Sequence, residues 1–209
     1  MWNRSENQIK LVLVRHGATP SNKEHRYLGR TDESLSTEGE QALQAARNIY
    51  PSIDYLFTSP MKRCIQTARI LYPNQEILVI PEWIEMDFGD FEGKNYVELK
   101  ENEYYQKWID SNGTLPFPNG ESREVFIERC KQGFYKMLLQ LKSQHQMNST
   151  MTVGLVIHGG TIMSLLSTFC GGEYFDYQVA NGHGYICTLN EIQKCPQVTD
   201  VQKIGQDRL

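Results

Sequence analysis

The chain reads as an α/β protein, a mostly parallel sheet with helices on both faces, and three observations predict it. Short aliphatic and β-branched runs alternate with segments of helical spacing along most of the 209 residues. The first of these runs is apolar throughout rather than alternating, as expected of strands covered on both faces. Polar groups and glycines follow directly where such runs stop, which in open α/β sheets is where ligands bind.

Lys10–Val14 is the first strand, ending at Arg15-His16-Gly17. Beyond a polar loop, Ser36 or Thr37 can cap a helix that carries Ala42, Leu43, Ala46 and Ile49 on one face and stops at Pro51. Ile53–Phe57 is the second strand. Ser59 as cap and Pro60 in the first turn then announce a helix bearing Arg63, Ile65, Ala68 and Leu71. Ile77–Ile80 is a third strand. The polar and aromatic stretch 82–121, with Gly89, Gly93 and Gly113, is expected to be an insertion capping the site within a single domain, 1–209. A long amphipathic helix, Ser122 to about Ser143, presents Val125, Phe126, Cys130, Phe134, Met137, Leu138 and Leu141. Thr152–Ile157 is a fourth strand, stopping at His158-Gly159-Gly160-Thr161 before a helix to about Cys170, and Tyr185–Leu189 with Val198–Ile204 is expected to close the sheet as a hairpin.

Composition narrows the function classes. Forty per cent of residues are apolar and 22% charged, the balance of a compact globular chain. A net charge of −4 without Lys/Arg runs longer than two argues against nucleic acid as a partner. The polar start and the absence of a long apolar run point to a cytoplasmic protein with no membrane association. The five cysteines, Cys64, Cys130, Cys170, Cys187 and Cys195, lack paired close spacing, so reduced thiols are expected rather than disulfides or a zinc site. The five histidines, His16, His25, His145, His158 and His183, include no metal-hydrolase pair, and neither a metal nor a cofactor is expected.

Four polar signals fall at strand ends or helix starts: Arg15-His16, Ser59 with Arg63, Glu85, and His158. Each alone has a plain structural reading, but together they share a chemical purpose. Two guanidinium forks can clamp a phosphoryl group, and a helix N-terminus adds backbone N–H donors. Inside that cage a neutral imidazole is a competent nucleophile, and Glu85 can give the leaving oxygen its proton.

These residues carry a resemblance. Leu11 to Asn22, with its Arg-His-Gly-x-Thr-x-x-Asn core, resembles the signature of the histidine phosphatase superfamily, the phosphoglycerate-mutase-like group. Gly29-x-x-Asp32, Leu35-Ser36-x-x-Gly39, Thr58-Ser59-Pro-x-x-Arg63-x-x-Gln66-Thr67-Ala68, Glu85-x-x-x-Gly89-x-x-Glu92-Gly93 and His158-Gly159-Gly160 follow in the family's order. The resemblance implies a three-layer sandwich and a metal-independent, histidine acid-type phosphatase. His16 would be the phosphorylated nucleophile, its other nitrogen held by a backbone carbonyl. Arg15, Arg63, His158 and Gly159 would complete the phosphate pocket, Asn22 would add a donor, and Glu85 would be the acid. His25, Arg26 and Gly29, in the loop after the signature, are candidate substrate contacts.

Within the family, mutases carry an Arg-Arg pair after a tryptophan of the insertion, whereas here Trp108 is followed by Ile109 and Asp110. A phosphomonoesterase acting on small phosphorylated metabolites, with inorganic phosphate as product, is therefore expected, ahead of a cofactor-dependent phosphoglycerate mutase or a catalytically silent phospho-ligand binding module. Tyr96, Tyr104, Tyr105 and Trp108 either contact a singly phosphorylated substrate or pack the insertion onto the sheet. Pro118-Asn119-Gly120-Glu121-Ser122 is similar to a segment of α-ribazole phosphatases. His183 is expected to be an exposed loop residue, and a homodimer is the assembly left open.

Overall fold

The computed structural model describes residues 9–144, 150–190 and 196–205. Cys195 and His145 lie outside the described residues, as does the polar start. Six strands, β1 (Ile9–Arg15), β2 (Tyr55–Thr58), β3 (Ile77–Val79), β4 (Met151–Ile157), β5 (Gly184–Asn190) and β6 (Gln197–Ile204), form one sheet in the order β3-β2-β4-β1-β5-β6. β1, β2, β3 and β4 are parallel, while β5 runs antiparallel to β1 and pairs with β6 as a hairpin.

The continuous apolar character of β1 now has its cause. Leu11 and Leu13 pack into one core and Val12 and Val14 into the other, because successive side chains point to opposite faces. One layer holds α2 (Thr37–Ala46) and α3 (Lys62–Leu71), through Leu43, Cys64, Ala68 and Leu71. The other holds α6 (Arg123–Gln144) and α7 (Gly159–Phe169), through Phe126, Phe134, Leu141, Ile162 and Leu166. Three sequence-predicted core positions face solvent instead: Ala42 is exposed, Ile49 is 53% exposed and Val125 59% exposed. Ile49 falls in a 3-10 turn after α2, which breaks the 3.6-residue period, and Val125 lies off the buried face of α6 that runs through Phe126, Cys130, Phe134, Met137 and Leu141.

Ser59 and Pro60 do not start α3. The helix begins at Lys62 with Met61 as its cap residue, two positions later than the Ser-Pro pair suggests. Ser59 is left outside the helix, where its hydroxyl meets His158 instead. Ser36 does cap α2, accepting from the Gly39 N–H, and its own N–H donates to Ala18 O, which seats the helix on the loop after β1.

Between β3 and α6 the chain forms short turns and the helices α4 (Tyr96–Leu99) and α5 (Glu103–Asp110). An aromatic cluster holds this segment together. The Tyr27 ring, contributed by the loop after α1 (Pro20–Lys23), makes edge-to-face contacts with Phe88, Tyr105, Trp108 and Phe117 at centroid separations of 5.2–6.2 Å. Such pairs contribute roughly 0.5–1.5 kcal/mol each beyond area burial. Of the four aromatics singled out in the sequence, Tyr105 is buried in this cluster, Tyr104 bonds Pro116 O, Tyr96 faces solvent, and Trp108 both packs and lines a cavity. Among the described residues no helix is long and apolar enough to cross a membrane.

Candidate active site

Because β1, β2 and β4 run in parallel, their carboxyl ends place Arg15-His16, Ser59 and His158 side by side. β5 runs the other way, so the turn before it, Asn181–His183, arrives at the same edge; Arg15 N–H donates to His183 O and His16 N–H to Ile157 O. His183 is half-buried there, held through its backbone rather than fully exposed.

His16 is buried, and its Nδ1 lies 2.8 Å from Gly17 O. Only an N–H can satisfy a carbonyl, so the ring proton sits on Nδ1 and Nε2 keeps its lone pair. Burial holds the imidazole well below its ordinary pKa, reinforced by Arg63 and Arg15 and opposed by the Gly17 carbonyl. His16 is therefore neutral at pH 7. Its ring stands 5.2 Å, centroid to centroid, from that of His158, edge to face.

Arg63 is wholly buried and fixed by four acceptors: Nε to His158 Nδ1 (3.4 Å), Nη1 to Thr31 O (2.8 Å), and Nη2 to Gly29 O (2.9 Å) and Leu28 O (3.5 Å). With its Nδ1 accepting, His158 carries its proton on Nε2, which donates to Ser59 Oγ at 2.7 Å. Burial, then Arg63, His16 and Arg15, keep His158 neutral as well. Arg15 donates from Nη1 to Val179 O, while its buried Nε has no partner. Cys64 Sγ lies 3.6 Å from His158 Nε2, but burial pushes its thiol up to about 12, so it is no rival nucleophile.

Glu85 is buried, and burial raises its pKa above the ordinary carboxylate range against the opposing pull of the Met86 N–H, Arg63 and Arg15. Gly160 permits its approach: a Cβ there would stand 2.7 Å from Glu85 Oε1. The segment that carries Glu85 is held from behind by Arg129 of α6. That guanidinium donates to Glu82 O (2.6 Å), Ile84 O (2.8 Å) and Glu85 O (3.4 Å), and forks onto Glu121 at 3.0 and 2.8 Å, while Glu121 accepts from Asp87 N–H.

Asn22 uses only its Oδ1, accepting from Thr19 N–H and from Asn181 Nδ2, which leaves its NH2 for a ligand. Asn181 also donates to His16 O. Of the three loop candidates, none lines the cavity. His25 is exposed at φ +53°, in the left-handed region. Arg26 is spent on Glu24, Glu98 and Gly93 O, tying the loop to the insertion. Gly29 is a backbone device: its carbonyl holds Arg63, its N–H meets Glu92, and a Cβ would fall 2.0 Å from Met86 O.

Arg15, Glu85, Gly159 and Gly160 form one side of a cavity of about 540 Å³, within the range of small-molecule sites. The rest of its wall is largely aromatic and thioether, with Trp108, Phe117, Met163 and Tyr174, and it includes Arg123. Among the described residues no cluster of His, Cys, Asp or Glu could hold a metal. Sequence reasoning missed Asn181, Thr67 (whose Oγ1 accepts from Gly17 N–H), Arg123 and Arg129. Thr67 lies within the Thr58–Ala68 motif, but nothing local distinguishes the other three.

Sheet order, strand-end site and flanking layers are those of the phosphoglycerate-mutase-like α/β class. The chain belongs to the histidine phosphatase superfamily (branch 1), whose family description matches residues 11–202. It is 32% identical over 167 residues to the "Uncharacterized phosphatase PhoE" of Bacillus subtilis, covering 78% of each chain. It is 28% identical over 168 residues to "Putative phosphoserine phosphatase 2" of Hydrogenobacter thermophilus, covering 78% of this chain and 79% of that protein. The crystal structure of a putative alpha-ribazole-5'-P phosphatase from Escherichia coli superposes with a TM-score of 0.78 at 23% identity, covering 95% of this chain and 96% of the other. Family and phosphatase-named relatives together support phosphatase activity.

Proposed function

We propose that the protein is a metal-independent phosphomonoesterase that hydrolyses small phosphorylated metabolites through a phosphohistidine at His16. One observation carries the reading: His16 Nδ1 is tied to Gly17 O, so a neutral ring offers Nε2 as nucleophile beside the buried Arg63 and the half-buried Arg15. Nε2 attacks phosphorus, the P–O ester bond breaks, and the carboxyl of Glu85 gives its proton to the departing alkoxide. Water then attacks phosphorus and passes a proton to the Glu85 carboxylate. The P–N bond breaks, phosphate leaves, and neutral His16 returns. Arg15, Arg63 and Asn22 hold charge on the phosphoryl oxygens, joined by His158 once its Nε2–H turns from Ser59 Oγ to the phosphate, the main catalytic contribution in such transfers.

The supporting pattern is a pair of titratable groups pushed in opposite directions, His16 toward the free base and Glu85 toward the free acid. Ile109 and Asp110 after Trp108 weigh against a mutase, and retention of both reacting groups weighs against a silent module. The test is phosphate release from p-nitrophenyl phosphate and a metabolite panel in excess chelator, wild type beside His16→Ala. Chelator-resistant release confined to wild type is expected. Release that needs metal, or that survives in His16→Ala, would sink the reading.

A further inference from the structure

Arg123 stands on the cavity wall at the start of α6. Its guanidinium carbon lies 5.4 Å from the Tyr174 ring centroid and 5.7 Å from that of Phe175. Its one hydrogen bond runs from Nη1 to Asn112 O at 3.3 Å, and no carboxylate among the described residues pairs with it. A cation in the first turn of a helix is opposed by the helix dipole, so its placement calls for a compensating interaction. The two rings hold the guanidinium against the wall, but they neither neutralise its charge nor use its remaining N–H donors.

The charges lining the cavity are Arg15, Arg123 and Glu85. Arg15 belongs to the phosphate, and burial favours the uncharged form of Glu85. One cation is therefore left over, on a wall whose uncharged side chains include Tyr27, Phe88, Trp108, Phe117, Tyr174 and Phe175. A sphere of the cavity's volume is about 10 Å across, room for a ring between two anionic groups rather than for a three-carbon acid alone.

Building on the phosphomonoesterase reading, we propose that the leaving group carries a carboxylate on a ring-sized apolar body, with Arg123 as the carboxylate subsite. A carboxylate can take two parallel N–H bonds from the guanidinium fork, and the aromatic wall supplies apolar contact for the body. Arg123 thereby selects the substrate without touching the phosphoryl group.

Binding to His16→Ala protein, which keeps the cavity but lacks the nucleophile, tests the subsite apart from turnover. Calorimetry would compare 3- and 4-carboxybenzyl phosphate with their uncharged carbamoyl counterparts. One carboxylate isomer is expected to bind about tenfold more tightly than its carbamoyl analogue, the preference falling to within twofold in His16→Ala/Arg123→Gln and surviving in part in His16→Ala/Arg123→Lys. Equal affinity for both members of each pair, or a preference that persists without Arg123, would overturn the proposal. Wild-type turnover of benzyl phosphate in chelator reads the other layer: no turnover beside an intact carboxylate preference would sink the phosphatase reading and leave the subsite standing.

Discussion

Arg63 at the sheet edge is wholly buried and gives its donors to four protein acceptors, whereas Arg123 on the cavity wall is half-buried, lies against two rings and makes one hydrogen bond. The same contrast runs through their surroundings. In this floor region at the sheet edge, beside the cavity, His16, Ser59, His158 and Glu85 are buried and fixed by nearby carbonyl, hydroxyl and N–H groups. The cavity wall is built largely of aromatic and thioether side chains: Tyr27, residues of the 82–121 stretch, Met163 of α7, Tyr174 and Phe175. A floor fixed this firmly suits the positioning of charge in a transition state, and a wall of loosely bonded rings suits the choice of a leaving group.

Breaking the floor should cost the most. His16→Ala is expected to lower kcat by on the order of 10⁴-fold or more for every substrate, measured as phosphate release. Glu85→Gln should cost about 10²–10⁴-fold on alkyl phosphates and far less on p-nitrophenyl phosphate, whose leaving group needs little protonation. Equal losses on the two would remove Glu85 from the role of acid.

The pH profile sharpens the same point. Glu85 must be protonated to act, and its raised pKa keeps it so above the ordinary carboxylate range; the alkyl phosphate rate should fall as pH rises through that value. His16 must be neutral, and its lowered pKa moves the acid limb well below 6.5. The window is therefore widened at both ends relative to ordinary imidazole and carboxylate groups. A basic limb that persists unchanged in Glu85→Gln would contradict this assignment.

Arg129 joins the two regions, since it holds the Glu85 segment from α6. Arg129→Met should destabilise the protein by roughly 3 kcal/mol, because it removes the forked partner of Glu121 and the donor to the Glu82 and Ile84 carbonyls. The double variant Arg129→Met/Glu121→Leu should recover much of that loss in chemical denaturation while keeping a defect confined to alkyl phosphates, the mark of a displaced Glu85. Uniform loss on all substrates would make Arg129 structural only. The smallest effect belongs to Arg26→Ala, a surface latch, for which kcat/KM is expected within about twofold of wild type.

The difference between floor and wall is also the difference between what the sequence disclosed and what it hid. Strand ends are local events: an apolar run that stops at Arg15-His16 or His158 announces itself, and the parallel order then brings those ends together. Ser-Pro at 59–60 is a local helix-start signal that the fold overrides, because Ser59 finds its partner in His158, 99 residues away. Arg123 and Arg129 could not be singled out, since a charge on a helix face reads as solvated until tertiary structure sets rings or carbonyls beside it. His25, Arg26 and Gly29 were placed near substrate by their position in the loop, but the bonds of Arg26 and Gly29 are internal ones that no motif spells out.

A phosphohistidine at His16 is a covalent intermediate and can be trapped directly. Wild-type protein mixed with p-nitrophenyl phosphate in excess chelator and quenched in base within one turnover should carry a base-stable, acid-labile phosphoryl group. Mass spectrometry should place it on the peptide containing His16, forming and decaying no more slowly than kcat. A phosphoryl group on any other residue, or turnover without phosphorylation of His16, would contradict the account.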